Sequence, residues 1–267
     1  MSALGDLPIS RSGQDALSIA IRAAKESGEI LRKNFFGEKR IENKGKRNLV
    51  TEVDLLSEKN ILDTLREEFP DHSILCEESG VTENYSEYRW IVDPLDGTTN
   101  YAFGIPTFCV SMALTRDDDI IAGVIYNPLL DELFEAQKGN GAFLNGSRIE
   151  VSRERNLQTT LIGFDMGYDD VASKEMISRA KDLWSPEISF RLIGSAALGI
   201  TYVACGRLDI YFHRSIYPWD IASAVLLTRE AGGEVINLEK NAASHWDKSI
   251  IACSDINEHN ALVDALM

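Results

Sequence analysis

Two carboxylates three positions apart, Asp93 and Asp96, lie in the run Asp93-Pro94-Leu95-Asp96-Gly97-Thr98-Thr99-Asn100, directly after the apolar stretch Trp90-Ile91-Val92. That order places acidic side chains where a strand gives way to a helix. Carboxylates and a backbone carbonyl suit a hard cation such as Mg2+, and the N–H groups at a helix start suit phosphate. Gly97 lets the backbone approach such a ligand closely, and Thr98 and Thr99 are candidates to cap the helix behind it. The same residues also fit a plainer arrangement, an Asx-turn and helix cap in which Pro94 sets the turn and Gly97 relieves strain.

Three further segments bear on that choice. Cys76-Glu77-Glu78-Ser79 lies upstream, and Pro218-Trp219-Asp220-Ile221-Ala222 with Glu230-Ala231-Gly232-Gly233 lies downstream. The stretch Lys44-Gly45-Lys46-Arg47-Asn48-Leu49-Val50-Thr51-Glu52-Val53-Asp54 ends in Thr51-x-x-Asp54, a capping box opening a helix. Taken singly, Glu77 and Glu78 read as a solvated acidic loop, and Asp220 as an N-cap before Ile221, Ala224 and Val225. Together with the run at Asp93, and in this order, the segments resemble the signatures of the inositol monophosphatase family. Those signatures are Asp-Pro-Ile/Leu-Asp-Gly-Thr-Thr-Asn, Gly-Glu-Glu-Ser, Trp-Asp-x-Ala-x-Gly with a trailing Glu-Ala-Gly-Gly, and Lys-Gly followed by Asp-Leu-Val-Thr-x-x-Asp. Cys76 replaces the family's glycine, Asn48 a frequent aspartate, and Ala224 or a neighbour a frequent glycine, while Lys44 falls in a loop of variable length.

The resemblance implies a layered αβαβα sandwich, an α/β (α+β) fold, and a Mg2+-dependent, lithium-sensitive phosphomonoesterase acting on a small phosphorylated polyol or sugar. By the same resemblance Glu77, Asp93 and the Leu95 carbonyl hold one Mg2+. Asp93, Asp96 and Asp220 hold a second, and a third, weaker ion sits near Glu77. A cation-activated water is the nucleophile, its hydrogen bonds accepted by Thr98 and Glu77, with Asp54 orienting Thr98. The Gly97 and Thr98 amides take the phosphate oxygens. Asp96, Ser195 and Ala196 lie beside the substrate alcohol, in a Gly194-Ser195-Ala196-Ala197 turn preceded by Arg191. Inositol-using members carry a glutamate seven residues before the Trp-Asp aspartate. That position is His213, whose protonated form would favour a second phosphate near pH 6 to 8. Its plainer reading is a partly exposed residue after a strand over Leu208–Phe212. The family contains fructose-1,6-bisphosphatases, which share the cation ligands, and members that serve as accessory factors of the transcription machinery. Its members also suggest a homodimer.

Composition sets bounds. The 267 residues, 44% of them hydrophobic, fill one large domain or two lobes. With 27 basic against 42 acidic residues the formal charge is -15, which argues against nucleic acid or an anionic membrane as a partner and against an unrelated two-metal nuclease, which needs a basic groove. Bound cations would turn the acidic cleft into an anion site. Cys76, Cys109, Cys205 and Cys253 are widely spaced, indicating neither a zinc site nor a disulfide framework. Residues 1–13 hold no signal-peptide core, and no stretch approaches a membrane span, so a cytoplasmic location is expected.

The elements that must position these residues follow from periodicity. After a frayed start, Ala16, Ile19, Ala20, Ala23, Ser27, Ile30 and Leu31 predict a helix ending at Gly37, and a second runs from Thr51 to Phe69 before Pro70. Phe108–Leu114 alternates, and with Ile120–Tyr126 and Leu133–Gln137 it predicts an antiparallel meander. Beyond Arg153 the expectations are a helix over Ala196–Ala204, a strand over Leu208–Phe212, a helix over Asp220–Ala231, a strand over Ser249–Cys253 and a last helix opened by Asp255. The pattern supports two lobes without a linker: residues 1–150 with two helices, the meander and the Asp93 run, and residues 151–267 with the Ser195 turn and Asp220.

Overall fold

Asp15 starts the first helix by accepting a hydrogen bond from the Ser18 amide at 2.8 Å, and α1 (Ala16–Asn34) buries Ala16, Ile19, Ala20, Ala23, Ala24 and Leu31 on one face. The computed structural model describes residues 7–38, 40–45, 48–153, 159–167 and 169–267. Lys46 and Arg47 lie outside the described residues, as do residues 1–6. The start is not frayed from Leu7 onward: the Arg11 amide donates to the Glu68 carbonyl and the Ser12 amide to the Glu68 carboxylate. Lys44 falls in a hairpin, β1 (Ile41–Gly45) with β2 (Asn48–Thr51), and not in a loop. Thr51 then caps α2 (Glu52–Glu68), with the Asp54 carboxylate closing the capping box as expected. The helix stops at Phe69, one residue before proline.

An eight-stranded sheet follows, in the order β10-β9-β8-β7-β6-β5-β3-β4. Its strands are β3 (Ser73–Cys76), β4 (Gly80–Thr82), β5 (Tyr88–Asp96), β6 (Cys109–Arg116), β7 (Asp119–Asn127), β8 (Glu132–Gln137), β9 (Gly141–Leu144) and β10 (Ser147–Ile149), with the short helix α3 (Thr98–Ala102) after β5. All pairings are antiparallel except β3 with β5. The meander is therefore present, but β6 does not alternate: Cys109 through Thr115 are all buried. Both faces of the sheet are covered at β6, so no solvent face exists there to select polar residues.

The second sheet has five strands in the order β12-β11-β13-β15-β14. It is built from β11 (Thr160–Asp165), β12 (Ile188–Leu192), β13 (Ile210–Arg214), β14 (Glu234–Ile236) and β15 (Ser249–Cys253), interleaved with α4 (Asp170–Asp182), α5 (Ala196–Ala204), α6 (Pro218–Glu230) and α7 (Asn260–Leu266). Strands β11, β12 and β13 run parallel. Two boundaries move from the sequence reading. β13 lies two residues later, which takes His213 into the strand, and α7 starts at Asn260 because Asp255 instead holds a turn through the Asn257 and Glu258 amides.

Three cores hold five layers together, the middle one spanning two interfaces. One joins α1 and α2 to the face of the large sheet bearing Trp90, Val92, Val110 and Met112. The second joins the opposite face, Ile91, Cys109, Ala113 and Ile125, through α5 and α6 to Tyr211 and Ala252 of the small sheet. The third lies between Phe164, Ile210, Phe212 and Ile251 and the helices α4 and α7. The architecture is the αβαβα sandwich. Close approaches make the stacking possible: a Cβ on Gly28 of α1 would sit 2.5 Å from the Tyr126 ring, and one on Gly123 3.0 Å from the Ser223 carbonyl of α6. Among the described residues no helix is long and apolar enough to cross a membrane.

Candidate active site

In a regular strand, residues three apart point to opposite faces, which would separate Asp93 from Asp96. The pairing of β5 with β6 removes the problem. Asp93 opposes Ser111 and Asp96 opposes Cys109, so three steps on β5 match two on β6 and the strand bulges at Pro94-Leu95. A bulge re-aims the side chains beyond it and tolerates proline, which has no ladder hydrogen to lose. Strand β5 thus continues through Asp96 instead of ending at Asp93, and both carboxylates turn to one site. Gly97 follows with φ +92°, and a Cβ there would lie 2.9 Å from the Thr107 carbonyl and 3.1 Å from that of Gly194.

Asp220 reaches the same site from α6, in the helix layer between the two sheets. It is not the N-cap of α6: Tyr217 is, and the Asp220 carboxylate accepts the Tyr217 amide at 2.8 Å. The helix is set on the large sheet by Ser111, whose hydroxyl lies 2.5 Å from that of Ser223 and donates to the Trp219 carbonyl at 3.4 Å. Part of Asp220 is exposed at the helix start, while its carboxylate is enclosed with the other two. One oxygen from each of Asp93, Asp96 and Asp220 lies within 4.8 Å of the others. Glu77, just past β3, donates its amide to the Val92 carbonyl at 3.2 Å, beside Asp93. It stands outside that tight trio, yet its charge acts on both Asp93 and Asp220.

Burial and mutual repulsion disfavour the ionised cluster. Asp93 is 1% exposed; desolvation, then the charges of Glu77, Asp96 and Asp220, raise its pKa well above the ordinary range. Asp220 is raised by burial and by Asp96 and Glu77. Asp96 is pushed up to about 6 by burial, against the pull of the Ser195 hydroxyl and the Ala196 and Ala197 amides. Several hard oxygens converging in a buried place are a donor set that fits a divalent cation, which would relieve the repulsion.

Thr98 does not cap α3, which has no side-chain cap. Its Oγ1 lies 3.0 Å from the Leu95 carbonyl and 3.1 Å from the Asp54 carboxylate. Asp54 is 1% exposed and is raised to about 6 by burial, offset by donors from Thr51 and Thr98. The single hydroxyl proton is thereby committed inward, which leaves the Thr98 oxygen to accept a hydrogen bond from the site. Thr98→Ala is expected to lower kcat about tenfold to a hundredfold, the range of one orienting contact in general acid–base chemistry, with divalent-cation affinity unchanged in a calorimetric titration. Collapse of that affinity would make Thr98 structural.

Beside the trio opens a cleft of about 480 Å³ lined by Asp96, Gly97, Thr98, Asp165, Gly194, Ser195, Ala196, His213 and Asp220, among others. Ser195 caps α5 and its hydroxyl bonds Asp96, so the turn read as a substrate contact also holds a carboxylate of the trio. Arg191 stays outside; its guanidinium donates to the Phe190 carbonyl. His213 is not a surface residue. It is 5% exposed within β13, its Nδ1 has no partner among the described residues, and burial lowers its pKa to about 3, so the ring is neutral at pH 6 to 8.

Sequence reading missed Asp165, the register partner of His213 on β11. Its carboxylate accepts the Gly194 amide at 2.6 Å, the Ile193 amide at 3.0 Å and the Tyr211 hydroxyl at 2.8 Å, and burial raises it to about 7. Asn100, last of the Asp93 run, donates to the Ile193 carbonyl at 2.9 Å and the Thr107 carbonyl at 2.7 Å, tying the same turn to α3. The available signal was an apolar strand, Leu161–Phe164, ending in aspartate, as Trp90–Val92 ends in Asp93.

Comparison with known proteins agrees with this geometry. The sequence profile described as the inositol monophosphatase family matches residues 13–266. Inositol monophosphatase 2 of Solanum lycopersicum is 40% identical over 263 residues, 95% of this chain and 98% of the relative. Nus factor SuhB of Escherichia coli strain K12 is 41% identical over 224 residues, 82% of this chain and 84% of the relative. The solved inositol monophosphatase of Anabaena superposes with a TM-score of 0.81 at 38% identity, covering 94% of each chain. A carboxylate trio drawn together by a bulge and a helix start, on a five-layer sandwich matched along nearly its whole length, leaves one assignment: the chain belongs to the inositol monophosphatase family and is a phosphoric monoester hydrolase.

Proposed function

We propose that the chain is a Mg2+-dependent phosphatase of small phosphorylated polyols, with inositol monophosphate the first substrate and fructose 1,6-bisphosphate the runner-up. The observation that carries this reading is the buried trio Asp93, Asp96 and Asp220 opening on the 480 Å³ cleft. Glu77, Asp93 and the Leu95 carbonyl would hold one cation, Asp93, Asp96 and Asp220 a second, and a third would sit near Glu77. Bound cations would supply positive charge to the phosphate and acidity to water. The chain's own groups do the rest. Thr98 accepts a hydrogen bond from the attacking water, Asp54 holds Thr98, the Gly97 and Thr98 amides receive phosphate oxygens, and Ser195 with Asp165 fixes the wall against which the alcohol lies. Inhibition by lithium and assembly as a homodimer belong to the same proposal and rest on family membership.

His213 bears on substrate choice. A neutral imidazole offers one acceptor and one donor, whereas glutamate would accept from two ring hydroxyls. Because the ring carries no charge at pH 6 to 8, it cannot select a bisphosphate by pairing with it, and the wild-type substrate ratio is expected to stay flat over that range. His213→Glu is expected to raise kcat/KM for inositol 1-phosphate by roughly tenfold relative to an acyclic phosphomonoester, the yield of one good polar contact. Phosphate release by both proteins from inositol 1-phosphate, fructose 1,6-bisphosphate and glycerol 2-phosphate with Mg2+ tests both statements. A wild type that prefers the bisphosphate overturns the inositol reading, and equal ratios in the two proteins remove His213 from the pocket.

A second role, as an accessory factor of the transcription machinery, is supported by the likeness to a protein named Nus factor SuhB. It is separable from catalysis, because it would survive loss of the carboxylates.

A further inference from the structure

Helix α2 turns polar side chains into the protein. Asp54, Ser57 and Glu58 follow the i, i+3, i+4 spacing of one helical face, and they are 1%, 0% and 6% exposed. Charged residues are rarely so buried unless their bonds are made. Each of the three reaches a different piece of the active site: the start of α3, the bulge inside β5 and the end of β3. Asp54 holds Thr98, and the Ser57 hydroxyl donates to the Pro94 carbonyl inside the bulge at 2.8 Å. Glu58 takes the third: its Oε2 accepts the Cys76 thiol at 2.9 Å, the Glu78 amide at 3.1 Å and the Ser79 amide at 3.3 Å.

The donors to Glu58 bracket Glu77. Residues 76, 78 and 79 are all tied to one oxygen, and the residue between them is the one whose charge acts on Asp93 and Asp220. From this geometry we infer that Glu58 is a positioning residue of the phosphatase site, holding the Cys76–Ser79 segment so that Glu77 stays against Asp93. The inference rests on the proposal that Glu77 is a cation ligand. A carboxylate suits the place because it only accepts, and successive backbone amides turned to one point favour an anion. Cys76, where the family signature has glycine, adds a thiol donor to that oxygen.

Isothermal titration of the full-length protein with Mg2+, alongside phosphate release, tests the assignment. Glu58→Ala is expected to weaken Mg2+ binding about tenfold, the lower end of what losing a partner behind a metal ligand does, and to leave KM for the phosphate ester at saturating Mg2+ within about twofold. Glu58→Gln keeps the volume and one acceptor oxygen for the two amides; it should recover about threefold of the tenfold loss, binding about threefold more weakly than wild type. The Mg2+-induced rise in melting temperature should shrink in the same order, whereas a merely structural glutamate would lower the melting temperature with and without Mg2+ alike. Glu77→Gln serves as reference. Weakened binding in Glu77→Gln with wild-type affinity in Glu58→Ala overturns the role of Glu58 alone. If Glu58→Ala does not fold, wild-type affinity in Glu58→Gln does the same. Unchanged affinity in Glu77→Gln as well overturns the ligand reading of Glu77 and the inference with it.

Discussion

Asp93→Asn is expected to lower kcat/KM by a thousandfold or more, on the order of 4 kcal/mol of transition-state stabilisation. The position is central. Asp93 is the most enclosed member of the trio, and it feels Glu77, Asp96 and Asp220 together, so in the proposed arrangement it alone serves two cations. Asparagine keeps the volume and can still accept the Leu95 amide, which Asp93 binds at 2.9 Å, so the bulge should survive. The substitution also removes a charge that burial and three neighbours oppose. Without cations at pH 8 the variant should therefore melt at or above the wild-type temperature, while the Mg2+-induced rise in melting temperature falls sharply. Steady-state kinetics and melting curves on the two proteins separate a lost cation from a lost fold. Kinetics within tenfold of wild type would refute the bridging role.

What could be read from the sequence was whatever is local. The helices at Ala16–Asn34 and Glu52–Glu68 declare themselves by spacing and by the Thr51/Asp54 cap, and the meander by its turns. The motif residues Asp93, Asp96 and Asp220 were legible because their neighbours carry a signature, and the resemblance implied that they share a cation, but the backbone geometry that brings them together was not legible. The bulge at Pro94-Leu95 exists only through the register of β5 against β6, a non-local pairing. Polar partners without a motif stayed hidden for the same reason. Asp165 is one aspartate at a strand end and Glu58 one glutamate on a helix of many charges; each gains meaning from donors 18 to 46 residues away. Sequence places the strand holding His213 two residues early because Leu208 and Phe212 are both apolar and no pairing partner fixes the boundary. Helix α4 was missed because it buries only Ser173 and Met176, too narrow a stripe to show a period.

Removing divalent cations should abolish turnover, to below about 1% of the Mg2+-saturated rate, and Mg2+ should restore it, since the trio then lacks the charge that lets three buried carboxylates face a phosphate. Stability should respond with a definite sign. Asp54 and Asp96, at about 6, and Asp165, at about 7, all stand above the ordinary value of 3.8. A carboxyl raised in the folded state binds more protons there than in the unfolded chain, so its favourable contribution is complete below pH 3.8 and is lost as pH climbs through 6 and 7. In EDTA the melting temperature should therefore fall between pH 5 and pH 8. Mg2+ binds the deprotonated carboxylates, so it should stabilise little at pH 5 and strongly at pH 8, making that fall shallower. Part of the decline should persist with saturating Mg2+, because Asp54 and Asp165 bond to Thr51, Thr98, Ile193, Gly194 and Tyr211 and lie outside the trio. Melting curves at pH 5, 6, 7 and 8, each with EDTA and with Mg2+, resolve the two contributions. A Mg2+-induced shift of equal size at every pH would mean that the cation does not bind at these carboxylates, and turnover undiminished in excess EDTA would remove cations from the reaction altogether.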